Sequence, residues 1–187
     1  EINDWDLFVK LVNNHGIIAL AANNIKEARL EKLVPEKSMA LLENGLLQNI
    51  VRNAWLAERW KEVDMILKEA GIKHILLKGM SLEHTIYGAR GFRQMADNDI
   101  LIRREDAINA WLILQKRGFE LMLSKSSLHR KIMIDIHKHL PALYRDGYAL
   151  EIHSALPGER FSDKKEYNRV FEEAVEISVN GIKAYIL

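Results

Sequence analysis

Asp97 and Asp99 stand one residue apart at the head of an apolar stretch, Ile100-Leu101-Ile102. Strand side chains alternate between faces, so positions i and i+2 point the same way. Two carboxylates so placed repel by roughly 4 kcal/mol at ~4 Å and an effective dielectric of ~20. A divalent cation reverses the sign of that term, and hard cations favour carboxylate oxygen. Asp-X-Asp pairs are common on turns and solvated edges, so the spacing alone is weak evidence for a metal. Two features strengthen it. The pair opens a hydrophobic strand rather than a polar loop, and a third carboxylate, Glu151, lies between Leu150 and Ile152 on another predicted strand. Glu151 faces away from those two apolar neighbours, which leaves either the acidic pair or plain solvent for it to meet.

Lys78 and Gly79 follow the apolar run His74-Ile75-Leu76-Leu77, where a predicted strand turns into a helix. Glycine permits close backbone approach, and free amides at a helix start attract phosphate. Lys78 adds a point charge suited to a triphosphate. Alone, the two would read as a surface lysine beside a turn glycine. His137 and His139 share a strand face with Asp135 one step along, a spacing that could bind zinc, although Pro141 soon ends the strand. His153 lies two residues from Glu151, on the same face, and is a candidate either to support the metal-binding carboxylates from behind or to contact substrate. Arg103-Arg104 and the basic stretch at 125–131 read as solvated surface.

The elements that must position these side chains are a helical first third and a sheet-bearing remainder. Apolar residues recur at helical spacing over 36–70, with Gly71 as C-cap and Gly45 as a point where one helix could become two. Trp55 and Trp60 read as core. Strands are predicted at 74–77, 97–102 and 119–123, with helices at about 80–87 and 104–117. Ile132, Ile134 and Ile136 alternate as a half-buried strand should, and Asp146-Gly147 signals a turn into a partner strand at 148–153. Ser162 can cap a helix running to about 174. Asn180-Gly181 marks a second hairpin. The sum is an α/β or α+β fold, a small mixed sheet flanked by helices, with residues 1–70 as a helical N-terminal region and 71–187 as the core. A C-terminal continuation beyond Leu187 is expected.

Composition excludes some functions. Charges nearly cancel, for a formal net charge of +1, so wholesale binding to a phosphate backbone is not indicated. There is no cysteine, which removes disulfides and thiolate metal sites and fits a reducing compartment such as the cytoplasm. No apolar stretch approaches the length of a membrane span.

Taken together, Leu76-Leu77-Lys78-Gly79, Tyr87-Gly88, Gly91, Arg93, Met95 and Asp97-Asn98-Asp99-Ile100-Leu101 resemble the uncharacterised nucleotidyltransferase family of the DNA polymerase beta-like superfamily. The likeness resumes at Leu150-Glu151-Ile152-His153, which is similar to that family's Leu-Glu-Leu-His strand. It implies a minimal nucleotidyltransferase fold and an NTP-dependent, two-metal transfer that releases pyrophosphate. Asp97 and Asp99 would bind Mg²⁺ or Mn²⁺ and the triphosphate. Glu151 would bind metal and help deprotonate the acceptor hydroxyl, and Arg93 would contact phosphate or buttress the acidic pair. Lys78-Gly79 replaces the Gly-Ser of most of the superfamily. Two positions depart from the pattern. Arg90 stands where proline is frequent, and Asn98 replaces an inward-facing apolar residue, so its polar group must find a partner or cost stability. The alternatives are an inactive nucleotide-binding or partner-docking module, and a phosphotransferase use of the same metal site. The acceptor, whether a protein, a small molecule or an RNA end, leaves no sequence signature.

Overall fold

The computed structural model describes residues 2–121, 139–156 and 164–187. It is a mixed α/β structure with a long helical N-terminal part and a seven-stranded mixed sheet. The chain forms two compact units, Glu1–Trp55 with Leu82–Met95, and Leu56–Ser81 with Ala96–Leu187.

The first unit is helical. Helix α1 (Trp5–Asn14) starts where the Asp4 side chain accepts a hydrogen bond from the Leu7 amide at 2.8 Å, and α2 (Ile18–Glu27) follows. Val9, Val12, Ile18, Ala22, Val34 and Leu42 form its core. Helix α3 (Glu36–Glu69) is one continuous element of 34 residues, so Gly45 does not divide it. The reason is steric: a Cβ on Gly45 would lie 2.6 Å from Ile18 Cδ1. Glycine is there to let the α2 side chain pass, a benefit that outweighs its poor helix propensity.

The same unit holds the glycine- and arginine-rich loop before Asp97. The buried Glu83 carboxylate accepts from the backbone amides of Gly91 (2.5 Å) and Arg93 (2.9 Å). Asn49 and Asn53, on α3, donate to the carbonyls of Gly91 and Arg93 at 2.6 and 2.8 Å. Gly91 has a φ of +78°, and a Cβ there would collide with Ile50 Cγ1. Four side-chain hydrogen bonds to two residues fix this loop's backbone.

The second unit carries the sheet, in the order β3-β4-β5-β2-β1-β7-β6. Its strands are β1 (His74–Leu77), β2 (Asn98–Ile102), β3 (Glu120–Leu121), β4 (Leu143–Arg145), β5 (Tyr148–His153), β6 (Val175–Val179) and β7 (Ile182–Ile186). Helix α4 (Lys78–Thr85) leaves β1 directly, α5 (Arg104–Lys116) follows β2, and α6 (Lys164–Glu173) precedes β6. The hairpin predicted at Asn180-Gly181 is β6–β7. The Asp146-Gly147 turn joins β5 to β4, a strand too short to register as a periodic pattern. The alternating stretch Ile132–Ile136 lies outside the described residues, as do Asp135, His137, Ser162 and the basic stretch at 125–131.

All four residues of β1 and all five of β2 are buried, as expected of strands covered on both faces. On one face, Ile75, Leu77 and Leu101 pack under Phe171 of α6. On the other, the His74 ring meets Trp60 of α3 at 5.2 Å between centroids. Asn98 points to this second face and finds a partner, donating from Nδ2 to the Tyr148 hydroxyl at 3.0 Å. Its Oδ1 is buried with no hydrogen-bond partner among the described residues. Among those residues no helix is long and apolar enough to cross a membrane.

Candidate active site

Strand pairing decides which side chains meet. β1 and β2 are antiparallel with Leu77 opposite Asp99, so the end of β1 lies beside the start of β2. β2 and β5 are parallel, with Asp99 opposite Glu151 and Leu101 opposite His153. Directly opposed residues share a face. Asp99, Glu151 and His153 therefore project together, and Lys78, the first residue after β1, stands at the same end. Glu151 is thus on the Asp99 side of the sheet and not in isolated solvent.

The distances agree. His153 Nε2 lies 2.8 Å from Asp99 Oδ1 and 3.5 Å from Glu151 Oε2. Lys78 Nζ lies 2.5 Å from Asp99 Oδ1, 3.3 Å from His153 Nε2 and 3.8 Å from Glu151 Oε2. Asp97 precedes the assigned strand and is half-buried. It stands close enough to feel the charges of Asp99, Glu151 and Lys78. His139 forms an isolated antiparallel bridge with His153, and their rings lie 5.7 Å apart. Gly79 is the second residue of α4. Arg93 belongs to the first unit, with its side chain exposed.

Electrostatics divides the three carboxylates. Burial, then the charges of Asp99 and Glu151, raises the pKa of Asp97. Burial pushes Asp99 the same way, but hydrogen bonds from His153 and Lys78 outweigh it and hold Asp99 below its ordinary value. The His153 hydrogen bond lowers Glu151 against the effects of burial and of Asp99. Burial opposes charge on Lys78 and His153, yet both are raised, chiefly by hydrogen bonds to Asp99. These are the signs of an anionic cluster that favours cations.

Among the described residues, Asp99, Glu151 and His153 each offer a ligand atom, and these atoms lie within 4.8 Å of one another. Two carboxylate oxygens and an imidazole nitrogen are a donor set that divalent cations accept. The residues present therefore fit a metal ion; Asp97 lies outside that group of three, within reach of its charges. The sequence reading named Asp99, Glu151 and His153, which the strand pairing brings to one face. It did not reveal that Lys78 turns onto the carboxylates, because side-chain direction after a strand depends on the backbone: Lys78 has a left-handed φ of +47°.

Over residues 1–187 the chain matches the family described as uncharacterised nucleotidyltransferase. No curated protein and no solved structure matches it.

Proposed function

The chain belongs to the uncharacterised nucleotidyltransferase family, and on that premise we propose that it moves a nucleoside monophosphate from a nucleoside triphosphate to an acceptor hydroxyl, releasing pyrophosphate. The observation that carries this is the pairing of Asp99 with Glu151 across parallel strands, with Asp97 and the Lys78 ammonium beside them. Asp99, Glu151 and Asp97 would hold Mg²⁺ or Mn²⁺. Bound there, a divalent ion would offset phosphate charge and lower the pKa of a coordinated hydroxyl.

The chain's own residues supply position and proton handling. Asp99, only 6% exposed and fixed by His153, is the anchor. Glu151 is 30% exposed, so it is the carboxylate with access to an incoming hydroxyl. As a carboxylate it can accept a hydrogen bond from the acceptor hydroxyl and take its proton as the oxygen attacks the α-phosphorus and pyrophosphate leaves. His153 holds the carboxylate pair in register through Nε2. Gly79 and the first turn of α4 lie next to Lys78, where backbone amides can receive phosphate oxygens. Fixed geometry and charge neutralisation are the main sources of rate in phosphoryl transfer.

The test is direct. Each α-labelled triphosphate is incubated with the protein and Mg²⁺ or Mn²⁺, with and without cell extract. A covalent adduct carrying both label and base is expected, and Asp99→Asn should abolish it. Transfer by Asp99→Asn at wild-type level would remove the metal assignment. A product bearing phosphate without the base would replace nucleotidyl transfer by a phosphotransferase activity.

A further inference from the structure

The carboxylate cluster carries its own cation. The Lys78 ammonium lies 2.5 Å from Asp99 Oδ1, 3.3 Å from His153 Nε2 and 3.8 Å from Glu151 Oε2. Those are the same three side chains whose ligand atoms cluster within 4.8 Å. The placement follows from the backbone. Lys78 is the hinge residue between β1 and α4, its φ is +47°, and β1 register sets the preceding residue opposite Asp99. Yet the lysine side chain is 47% exposed, so it has an open route away from the carboxylates. Two cations cannot share the same carboxylate oxygens without strong mutual repulsion.

We infer that Lys78 is an internal counter-ion that a divalent cation displaces, releasing its ammonium to the phosphates of the donor triphosphate. This rests on the metal-binding site assigned to Asp99 and Glu151 above. Metal entry then requires loss of the Lys78–Asp99 contact, and that loss is recovered when an anion arrives to meet the freed ammonium. Metal and triphosphate reinforce each other's binding through one side chain, a coupling that thermodynamic linkage makes reciprocal.

The signature is a change of opposite sign in two affinities. Mn²⁺ binding to the full chain, followed by calorimetry or by the loss of free Mn²⁺ resonance, is expected to tighten about tenfold in Lys78→Gln when no nucleotide is present. With Mn²⁺ saturating, the same substitution is expected to weaken binding of a non-hydrolysable triphosphate, again by about tenfold. Lys78→Asn, whose side chain tolerates left-handed backbone, serves as the second variant should glutamine disturb the fold. In the wild type, Mn²⁺ should also increase labelling of Lys78 by an amine-directed reagent, read by mass spectrometry. Equal or weaker Mn²⁺ binding by both variants, or Lys78 labelling that does not rise, overturns the inference while leaving the metal site standing. If neither wild type nor variants bind Mn²⁺, the metal site falls too.

Discussion

The sheet-bearing unit contains two buried clusters built from the same three residue types. At one, Asp64 receives His74 Nε2 at 3.0 Å and Lys68 Nζ at 2.7 Å. At the other, Asp99 receives His153 Nε2 at 2.8 Å and Lys78 Nζ at 2.5 Å. The exposures match almost point for point. Both aspartates are 6% exposed, the histidines 5% and 6%, and the lysines 49% and 47%. What differs is the company. Asp64 and Lys68 cancel, and the other nitrogen of His74 lies 3.0 Å from the Ile72 carbonyl oxygen, so every group is satisfied. Around Asp99, among the described residues, there are two more carboxylates, Glu151 and Asp97, and still one lysine. A balanced triad ties helix α3 to strand β1; an unbalanced one keeps a charge deficit, and that deficit is what a functional cation can fill.

If the contrast is real, matched substitutions should separate cleanly. The largest effect is expected at Asp99→Asn. Transfer should fall on the order of 10³-fold or more, and because Lys78 and His153 hold Asp99 below its ordinary pKa, some melting temperature should be lost with its charge. Label transfer and calorimetric melting check the two halves. Asp64→Asn should cost stability alone, roughly 1–3 kcal/mol, lowering the melting temperature by about 2–4 °C per kcal/mol with kcat unchanged. A loss of activity at Asp64→Asn without loss of stability would break the comparison.

Acid sharpens it. The Asp64 pKa lies below its ordinary 3.8 because its hydrogen bonds from His74 and Lys68 overcome the opposing effect of burial. A depressed folded-state pKa gives stability that is fully present above the unfolded value and is lost as pH falls towards the folded one. The melting difference between wild type and Asp64→Asn should therefore hold constant from pH 7 to about 5 and shrink below about 4. A difference that fades already between pH 7 and 6 would assign it to another group. The smallest effect is expected at Lys68→Met. Lys68 is half-exposed but its partner Asp64 is buried, and Asp64 keeps His74, so the loss should be about 0.5–1.5 kcal/mol, a small shift of the denaturant midpoint.

Much of the unbalanced cluster could be read from the chain. Asp99, Glu151 and His153 sit in short strands, and the two-residue repeat of a strand fixes which side chains share a face once pairing is known. The balanced cluster was invisible by the same logic. Asp64 looks like one more solvated charge on a long helix, and nothing in the ten-residue separation from His74 says that the turn at Gly71 folds the two together. The α+β class and the helical N-terminal part were legible from the change of hydrophobic period near residue 71. The continuity of α3 was not, because the clearance Gly45 gives to Ile18 belongs to packing between helices and leaves no local signal. Glu83 escaped for a related reason. Its partners are backbone amides of a loop, and a loop's amides carry no sequence code.

The parallel alignment of β2 with β5 has a further consequence. Asp99 meets Glu151 only when Asn98 meets Leu150 and Ile100 meets Ile152. Slipping β5 by a single position would turn a carboxylate into the apolar interior and lift Leu150 or Ile152 out of it. A misaligned molecule would thus lose the candidate site and part of its core in the same step. Stable folding and assembly of the candidate site therefore proofread one and the same strand alignment.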